Sequence, residues 1–213
     1  MFLFNSPTYT VVFLFVFMFG LYLVAQAIQF LNDLVVEQFS VLNNQLQLEL
    51  IVEPRRRFSF KRRYPLIKGK YLNRRLMISS KEVMIAGVAY PQTVIVVDVL
   101  HYGKTFTIGS ETIYTILSKL WGKNDISLND PLFDRMFYLT ANDAAFLQKV
   151  LDPDIRDIMK ANMFLQDGKF TLNQAQLRYE EQISVMTVSR RKRIEKIILI
   201  MYMMAKKIDH LGG

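Results

Sequence analysis

The sequence predicts an α+β protein with a single N-terminal transmembrane helix, a helical stalk, and an antiparallel sheet packed by C-terminal helices. Three patterns predict this fold class: a charge-free apolar run near the N-terminus, a middle region of short β-branched and aromatic runs, and helical periodicity towards the C-terminal end. They divide the 213 residues into a tail at 1–7, a transmembrane helix at 8–31, a helical stalk at 32–53, a basic linker at 54–64 and an α+β domain at 65–213.

The transmembrane helix is predicted from residues 8–31, which contain no charged side chain. About 24 residues span roughly 36 Å at 1.5 Å per residue, enough to cross a hydrocarbon core of ~30 Å with some tilt. The alternative is a cleaved signal peptide, because Ala25-Gln26-Ala27 resembles a cleavage site. The absence of positive charge from residues 1–10 and the length of the apolar run favour a retained helix.

The distribution of lysine and arginine favours an orientation with the N-terminus outside. The bulk of the chain would then lie in the cytoplasm of a bacterial cell, or in the equivalent compartment of an organelle. Every lysine and arginine follows the predicted helix. The first cluster begins at Arg55, just beyond the ~15–20 residues over which the positive-inside rule acts most strongly.

The predicted stalk carries a stripe of apolar residues at helical spacing. They are Val35, Phe39, Leu42, Leu46 and Leu50, three or four residues apart. Such a stripe serves a coiled coil between copies of the chain, packing on the chain's own domain, or binding to another subunit of a complex. Pro54 is predicted to end the helix, because proline lacks the N–H that the helix needs.

A basic cluster follows the stalk. Eleven lysines and arginines and no acidic residue lie between Arg55 and Lys81, so the net charge of +8 comes entirely from this segment. A juxtamembrane cluster gains about 1 kcal/mol per cation near anionic lipid, but a rigid stalk of about 20 residues would lift it about 30 Å from the surface. The other interpretations are a solvated charge run and a nucleic-acid contact, the latter disfavoured because no nucleic-acid-binding motif is present. The residues predicted to contact anionic lipid or a partner are Arg55, Arg56, Arg57, Lys61, Arg62 and Arg63.

The region from 71 to 139 is predicted to form an antiparallel meander. Short runs rich in Val, Ile, Thr, Tyr and Phe recur about every ten residues between turn signals. One of them, at 111–120, reads ETIYTILSKL, and another, TVIVVDV at 93–99, is almost continuously apolar, as a central strand is.

Helices are predicted after the meander. The first is capped by Thr140 and the second by Asp152, with Pro153 at its first position. A returning hairpin follows, and then a long C-terminal helix capped by Ser189. The apolar run in that helix is only about nine residues, too short to cross a bilayer, so we expect the helix to cover the sheet.

The sequence offers little for catalysis. It contains no cysteine and two histidines, which excludes a disulfide scaffold, a thiolate zinc site and a cysteine nucleophile. Asp125, Asp130 and Asp134 could hold a divalent cation, but Asn-Asp-Pro at 129–131 is typical of a turn. We therefore expect no enzyme activity, no cofactor and no metal site.

The segments NDPLFD at 129–134, FYL at 137–139 and GKYLNR at 69–74 resemble a family of bacterial membrane-associated proteins of unknown function. Members of that family have N-terminal hydrophobic helices, a strand-rich stretch, a Gly-Asp-x-x-Phe-Asp-like signature and a C-terminal helix. This sequence departs from the pattern in having Asn129 in place of glycine and one anchor in place of two. The resemblance covers roughly residues 65–210 and implies membrane placement and fold, with no reaction.

These expectations favour a non-enzymatic, single-pass membrane protein that is an accessory or scaffolding subunit of a larger membrane protein complex. The alternative is a membrane-surface module that binds anionic lipid, or less favourably nucleic acid, through the basic cluster. The expected partners are membrane lipid, and either other subunits of a complex or a second copy of the chain through residues 32–53.

Overall fold

A computed structural model describes residues 7–54, 62–100, 103–110 and 126–212. These residues form the predicted α+β fold, with a long apolar N-terminal helix, an antiparallel sheet and a C-terminal helix packed on the sheet. The helices are α1 (Pro7–Leu46), α2 (Pro131–Met136), α3 (Ala144–Val150), α4 (Pro153–Lys160) and α5 (Val188–Gly212), with a 3-10 helix at Met163–Asp167. The strands are β1 (Glu49–Ile51), β2 (Leu66–Tyr71), β3 (Arg74–Ile85), β4 (Val88–Asp98), β5 (Phe106–Ser110), β6 (Phe137–Ala141), β7 (Gly168–Asn173) and β8 (Gln176–Glu181).

The predicted transmembrane helix and most of the predicted stalk are one continuous helix, α1. Its N-terminal part is long and apolar enough to cross a membrane, which makes it a candidate membrane span. The helix ends at Leu46 rather than at Pro54, because Gln47 adopts the left-handed conformation with a φ of 54°. Residues Glu49–Ile51 then pair with β2 as an edge strand, so the end of the predicted stalk belongs to the sheet.

The apolar stripe of the predicted stalk is buried in the chain's own core. Val35, Phe39 and Leu42 are almost fully buried, and Leu46 packs at the edge of the core. Of the three alternatives for this stripe, the structure therefore shows packing on the chain's own domain. A coiled coil between copies through residues 32–53 cannot use these side chains, because they already fill an intramolecular core. Contact with another subunit is left to the outer face of α1, where Val41 is 37% exposed.

In the described part of the chain, the strands form one antiparallel sheet in the order β1-β2-β3-β4-β8-β7-β5-β6. The first four strands form an antiparallel meander that begins before the predicted range of 71–139, and β5 and β6, which begin within that range, do not continue it. The chain then forms β5 and β6 at the far edge, and the predicted hairpin, β7–β8, fills the gap. The prediction of a central strand is confirmed, since β4 lies between β3 and β8 with Val94 to Val97 buried. The predicted strand at 111–120 lies outside the described residues.

The core lies between one face of the sheet and the helices. α5 contacts the sheet, and α3, α4 and the C-terminal half of α1 pack beside it. Met201 and Met204 of α5 are fully buried, which confirms that this helix covers the sheet. Phe133 of α2 fills the same core with no exposed surface, and its ring centroid lies 4.7 Å from that of Phe137.

Aspartates cap the three short helices. Asp130, Asp143 and Asp152 each accept the backbone N–H three residues further on, at 3.2, 2.9 and 3.0 Å respectively. The cap at Asp152 with Pro153 at the first helical position is as predicted.

Two predicted caps are wrong by two or three positions. Thr140 belongs to β6, opposite Thr107 of β5, and Asp143 caps the helix instead. Strand pairing has drawn the threonine into the sheet. At the start of α5 the hydroxyl of Thr187, and not of Ser189, accepts the N–H of Arg190 at 3.3 Å.

Candidate functional site

The junction between α1 and the end of the basic linker is the first candidate site. The guanidinium of Arg63 forms an ion pair with the carboxylate of Asp33, and its backbone N–H donates to Asn32 Oδ1 at 3.2 Å. Nε of Arg62 lies 3.6 Å from Oε1 of Glu82. Both described arginines are therefore paired with acidic side chains of the same molecule. The other predicted contacts lie outside the described residues: Arg55, Arg56, Arg57 and Lys61.

The chain folds back towards the N-terminal half of α1 after β1. The hydrogen bond from Arg63 to Asn32 places the end of the linker beside the C-terminal end of the predicted span. The expectation that the stalk lifts the basic cluster about 30 Å from the membrane is therefore wrong for this end of the linker. Arg63 is largely buried, its side chain being 12% exposed, whereas Arg62 at 45% is open to solvent.

A pocket of about 170 Å³ lies between α1 and the sheet at this junction. Ile28 and Leu31 form part of its apolar wall, and Tyr64 and Ser80 lie among its polar residues. Burial raises the pKa of the Tyr64 hydroxyl, and the neighbouring Glu82 carboxylate raises it further. The tyrosine therefore stays neutral at physiological pH and supports packing rather than proton transfer.

A polar groove of about 1160 Å³ on the open face of the sheet is the second candidate site. Its residues are aligned by the strand register, with Lys169 of β7 opposite Glu180 of β8. Arg178 donates to the Glu180 carboxylate at 2.8 Å. The adjoining row crosses four strands and consists of Thr140, Thr107, Thr171 and Arg178.

The groove is built for hydrogen bonding. Threonine hydroxyls donate and accept, and a lysine, an arginine and a glutamate add charge. A threonine acts as a nucleophile only beside a general base. Among the described residues that line the groove there is no histidine or cysteine, and Glu180 is already held by Arg178. The arrangement is suited to holding a polar segment of another molecule.

The aspartates considered for a metal serve the backbone in the described residues. Asp130 accepts a hydrogen bond from Lys160 at 2.9 Å, which lowers the pKa of its carboxyl. Asp134 accepts the N–H of Leu128 at 3.0 Å, so it fixes the turn that Asn-Asp-Pro at 129–131 predicts. Asp125 lies outside the described residues. Within the described ranges, no group of three or more His, Cys, Asp or Glu side chains could hold a metal ion.

A buried polar cluster around Glu181 was not predicted. Its carboxylate accepts from the Tyr179 hydroxyl at 2.9 Å and pairs with the Arg193 guanidinium at 2.5 Å. Burial raises the pKa of Glu181, and Arg193 opposes the shift. Gly168 is needed beside it, because a Cβ there would lie 2.1 Å from the tyrosine hydroxyl. Strand alternation was the available signal, since Glu181 follows Tyr179 by two residues and shares its core face.

No family model and no curated protein matches the sequence. Among solved structures, the chain is similar to the mycobacterial trehalose monomycolate transport factor A, TtfA. The identity is 10%, the likeness covers 82% of this chain and 94% of that chain, and the TM-score is 0.48. No residue role and no activity is transferred at this level of similarity.

The resemblance to the bacterial membrane-associated family is supported by overall organisation. The apolar N-terminal helix and the strand-rich domain fit that family, but no family model matches the chain and the signature at 129–134 is not shown. Asn129, which stands where the family has glycine, has a φ of 56°. Asparagine tolerates this left-handed conformation better than most residues, so the departure is compatible with the same turn.

Proposed function

We propose that this protein is a non-enzymatic, single-pass membrane protein that acts as an accessory or scaffolding subunit of a larger membrane protein complex. The bulk of the chain lies on the cytoplasmic side of a bacterial inner membrane, or in the equivalent compartment of an organelle. The open groove of the sheet is the surface that receives a polar segment of another subunit.

The continuity of α1 is the observation that carries the proposal. Its N-terminal half exposes apolar side chains on every side, and its C-terminal half is part of the domain core. A helix without a break holds the domain at a set distance from the bilayer. Such placement is what a scaffold requires, whereas a tethered enzyme works on a flexible linker as well.

The test is native purification of the full-length chain in mild detergent at its natural level of expression. We expect a particle larger than the monomer in its micelle, with a second protein in fixed stoichiometry. The double variant Thr107→Arg/Thr171→Arg should release that protein, because it fills the groove with bulk and positive charge. The matched control is Leu199→Arg on α5, a position that is 59% exposed outside the groove. Recovery of a monomer alone would contradict the proposal.

A second candidate function, a membrane-surface module that binds anionic lipid, is favoured by the path of the linker. The backbone N–H of Arg63 donates to Asn32 Oδ1, so the described end of the linker lies close to the C-terminal end of the candidate span. Exchange of Arg55, Arg56, Arg57 and Lys61 for glutamine in a chain lacking residues 1–24 should then reduce binding to anionic vesicles. Salt should weaken the wild-type binding, since surface charges are screened within about 10 Å at 0.1 M. Equal binding to neutral vesicles would exclude this function, and tighter binding to RNA would favour nucleic acid.

A further inference from the structure

The hairpin between β3 and β4 extends beyond the sheet as a two-stranded ribbon. β2 accompanies β3 only as far as Ser79, and β8 accompanies β4 only from Thr93. Among the described residues, no strand flanks the five further pairs from Lys81↔Gln92 to Ile85↔Val88. At about 3.3 Å per residue the ribbon projects roughly 17 Å from the sheet. The base of the ribbon is held by the sheet, and its outer part is supported by no other described strand.

The tip of the ribbon, residues 83–90, is apolar throughout. Its sequence is VMIAGVAY, without a charged side chain. Met84 is 67% exposed, Val88 52% and Ile85 42%. The turn residues Ala86 and Gly87 have φ values of 49° and 80°, a conformation for which water-facing turns usually use Asn-Gly or Asp-Gly. Even the turn therefore avoids polar side chains.

The ribbon points along α1 towards the candidate span. At the end of β3 opposite to the tip, Leu76 pairs with Gly69 of β2. Leu48, which follows the end of α1, packs on Gly69. Further along β3, Ser80 lines the same pocket as Ile28 of α1. Moving along β3 towards the tip thus means moving along α1 towards its N-terminus. The ribbon continues in that direction beyond Ser80.

The charged residues of α1 and those of β3 end at the same level along the direction of α1. On α1 the last charge before the apolar run is Asp33, and on β3 the last charge before the tip is Glu82. Consecutive arginines connect them, since Arg63 pairs with Asp33 and Arg62 pairs with Glu82. Beyond this level neither residues 7–32 nor residues 83–91 contain a charged side chain.

We propose that the tip of the β3–β4 hairpin inserts into the same bilayer that α1 crosses, as a second, shallow membrane contact. The inference rests on the proposed membrane span. The occupant of the apolar tip is lipid, because the tip is continuous with the charge-free surface of α1 and shares its polar boundary. No described strand pairs with the outer edges of the ribbon, and backbone groups without partners are costly to bury in hydrocarbon, so we restrict the insertion to the interfacial layer. Tyr90, 40% exposed, lies where an aromatic side chain anchors at the headgroups.

The span and the hairpin contact together would fix the orientation of the domain relative to the membrane, which the span alone does not. A single helix permits rotation of the domain about the helix axis, and a second contact beside it removes that freedom. The open groove of the sheet would therefore present itself to other membrane proteins in one direction.

The natural absence of cysteine makes the test direct. Full-length Met84→Cys, Leu72→Cys and Phe17→Cys variants are labelled with an environment-sensitive fluorophore and reconstituted alone in liposomes. Leu72, at the other end of β3, is as exposed as Met84, at 67%, and serves as the matched control. We expect lipid-borne quenchers to quench the label at 84 severalfold more than the label at 72, and water-soluble quenchers to show the reverse. The label at 17 reports the span itself.

The outcomes separate this inference from the proposed function. If labels at 84 and 72 are equally open to the aqueous quencher while the label at 17 is quenched from the lipid, the span stands and the hairpin contact is wrong. If the label at 17 is also aqueous, the span itself is wrong. If the label at 84 is shielded in native membranes but not in liposomes, a protein covers the tip and the lipid proposal is overturned.

Discussion

The two halves of α1 belong to one continuous helix, yet they meet different surroundings. From Val11 to Val24 the large apolar side chains are between 37 and 72% exposed, whereas Val35, Phe39 and Leu42 are at most 7% exposed. The first half is apolar on every side, and the second is apolar on one side only. The comparison teaches that a segment apolar on every side suits lipid, whereas a segment with one apolar side is received by a protein core.

The largest effect is expected from cutting the helix between its halves. Ala25 is 2% exposed, so contact with the rest of the protein begins there. Deletion of residues 1–24 should move the protein to the soluble fraction after an alkaline carbonate wash and leave the domain cooperatively folded. Deletion of residues 1–42 should abolish folding, because it removes the buried stripe. Membrane association that survives the first deletion, or full-length protein that washes off in carbonate, would place the anchor elsewhere.

A smaller but still large effect is expected from Phe39→Ala. The ring has no exposed surface, so its removal should cost about 3–5 kcal/mol of unfolding free energy. Phe17→Ala is the matched control in the same helix, because Phe17 is 53% exposed and contributes no core packing. Urea unfolding in detergent, followed by circular dichroism, measures both. Similar losses in the two variants would refute the contrast between the halves.

The domain should also show an acid sensitivity that the span lacks. Hydrogen bonds from lysine side chains hold the pKa of Asp130 and Asp143 below their usual range. Burial raises the pKa of Asp152, but a lysine hydrogen bond and a backbone N–H leave it lowered overall. Because these carboxyls bind protons less readily when folded, their stabilisation is present above pH ~4 and is lost as the pH falls below that value. The three lysines are Lys160, Lys104 and Lys207.

Unfolding at pH ~5 and pH ~3 tests this difference. Exchange of all three aspartates for asparagine should flatten the decline in the free energy of unfolding between the two pH values. The protein should stay in the membrane pellet at both pH values, because residues 7–31 contain no acidic or basic side chain. An identical decline in wild type and triple variant would assign the acid sensitivity to other groups. Glu181 acts with the opposite sign. Because its pKa is raised in the folded protein, its contribution to stability is lost as the pH rises above the usual pKa of a glutamate.

The smallest effect is expected at the boundary between the halves, from the ion pair of Asp33 with Arg63. Asp33 is 44% exposed, so a double-mutant cycle with Asp33→Asn and Arg63→Gln should give a coupling energy of about 0.5 kcal/mol. The more exposed pair of Lys68 with Glu49, at 3.6 Å, is the control and should give less. A larger coupling at the control pair would show that the boundary pair contributes nothing special to the junction.

The sequence by itself determined the elements whose signal is local. A charge-free run of about 24 residues predicts a span through its length alone. TVIVVDV predicts a buried strand, and Asp152 followed by Pro153 predicts a helix start, because each depends on residues within a few positions. The same holds for the turn at 129–131, which Asn-Asp-Pro predicts from adjacent residues.

Only the tertiary structure decided what depends on distant partners. The stripe at Val35, Phe39 and Leu42 was equally compatible with a coiled coil until the sheet and α5 covered it. Thr140 has the chemistry of a cap, but pairing with β5 placed it in a strand. The return of the linker to Asn32 and the extension of the β3–β4 hairpin beyond its neighbouring strands both depend on residues far apart in the chain. The physical reason is that periodicity states which face of an element is apolar, whereas the matching face that covers it is set by the packing of the whole domain.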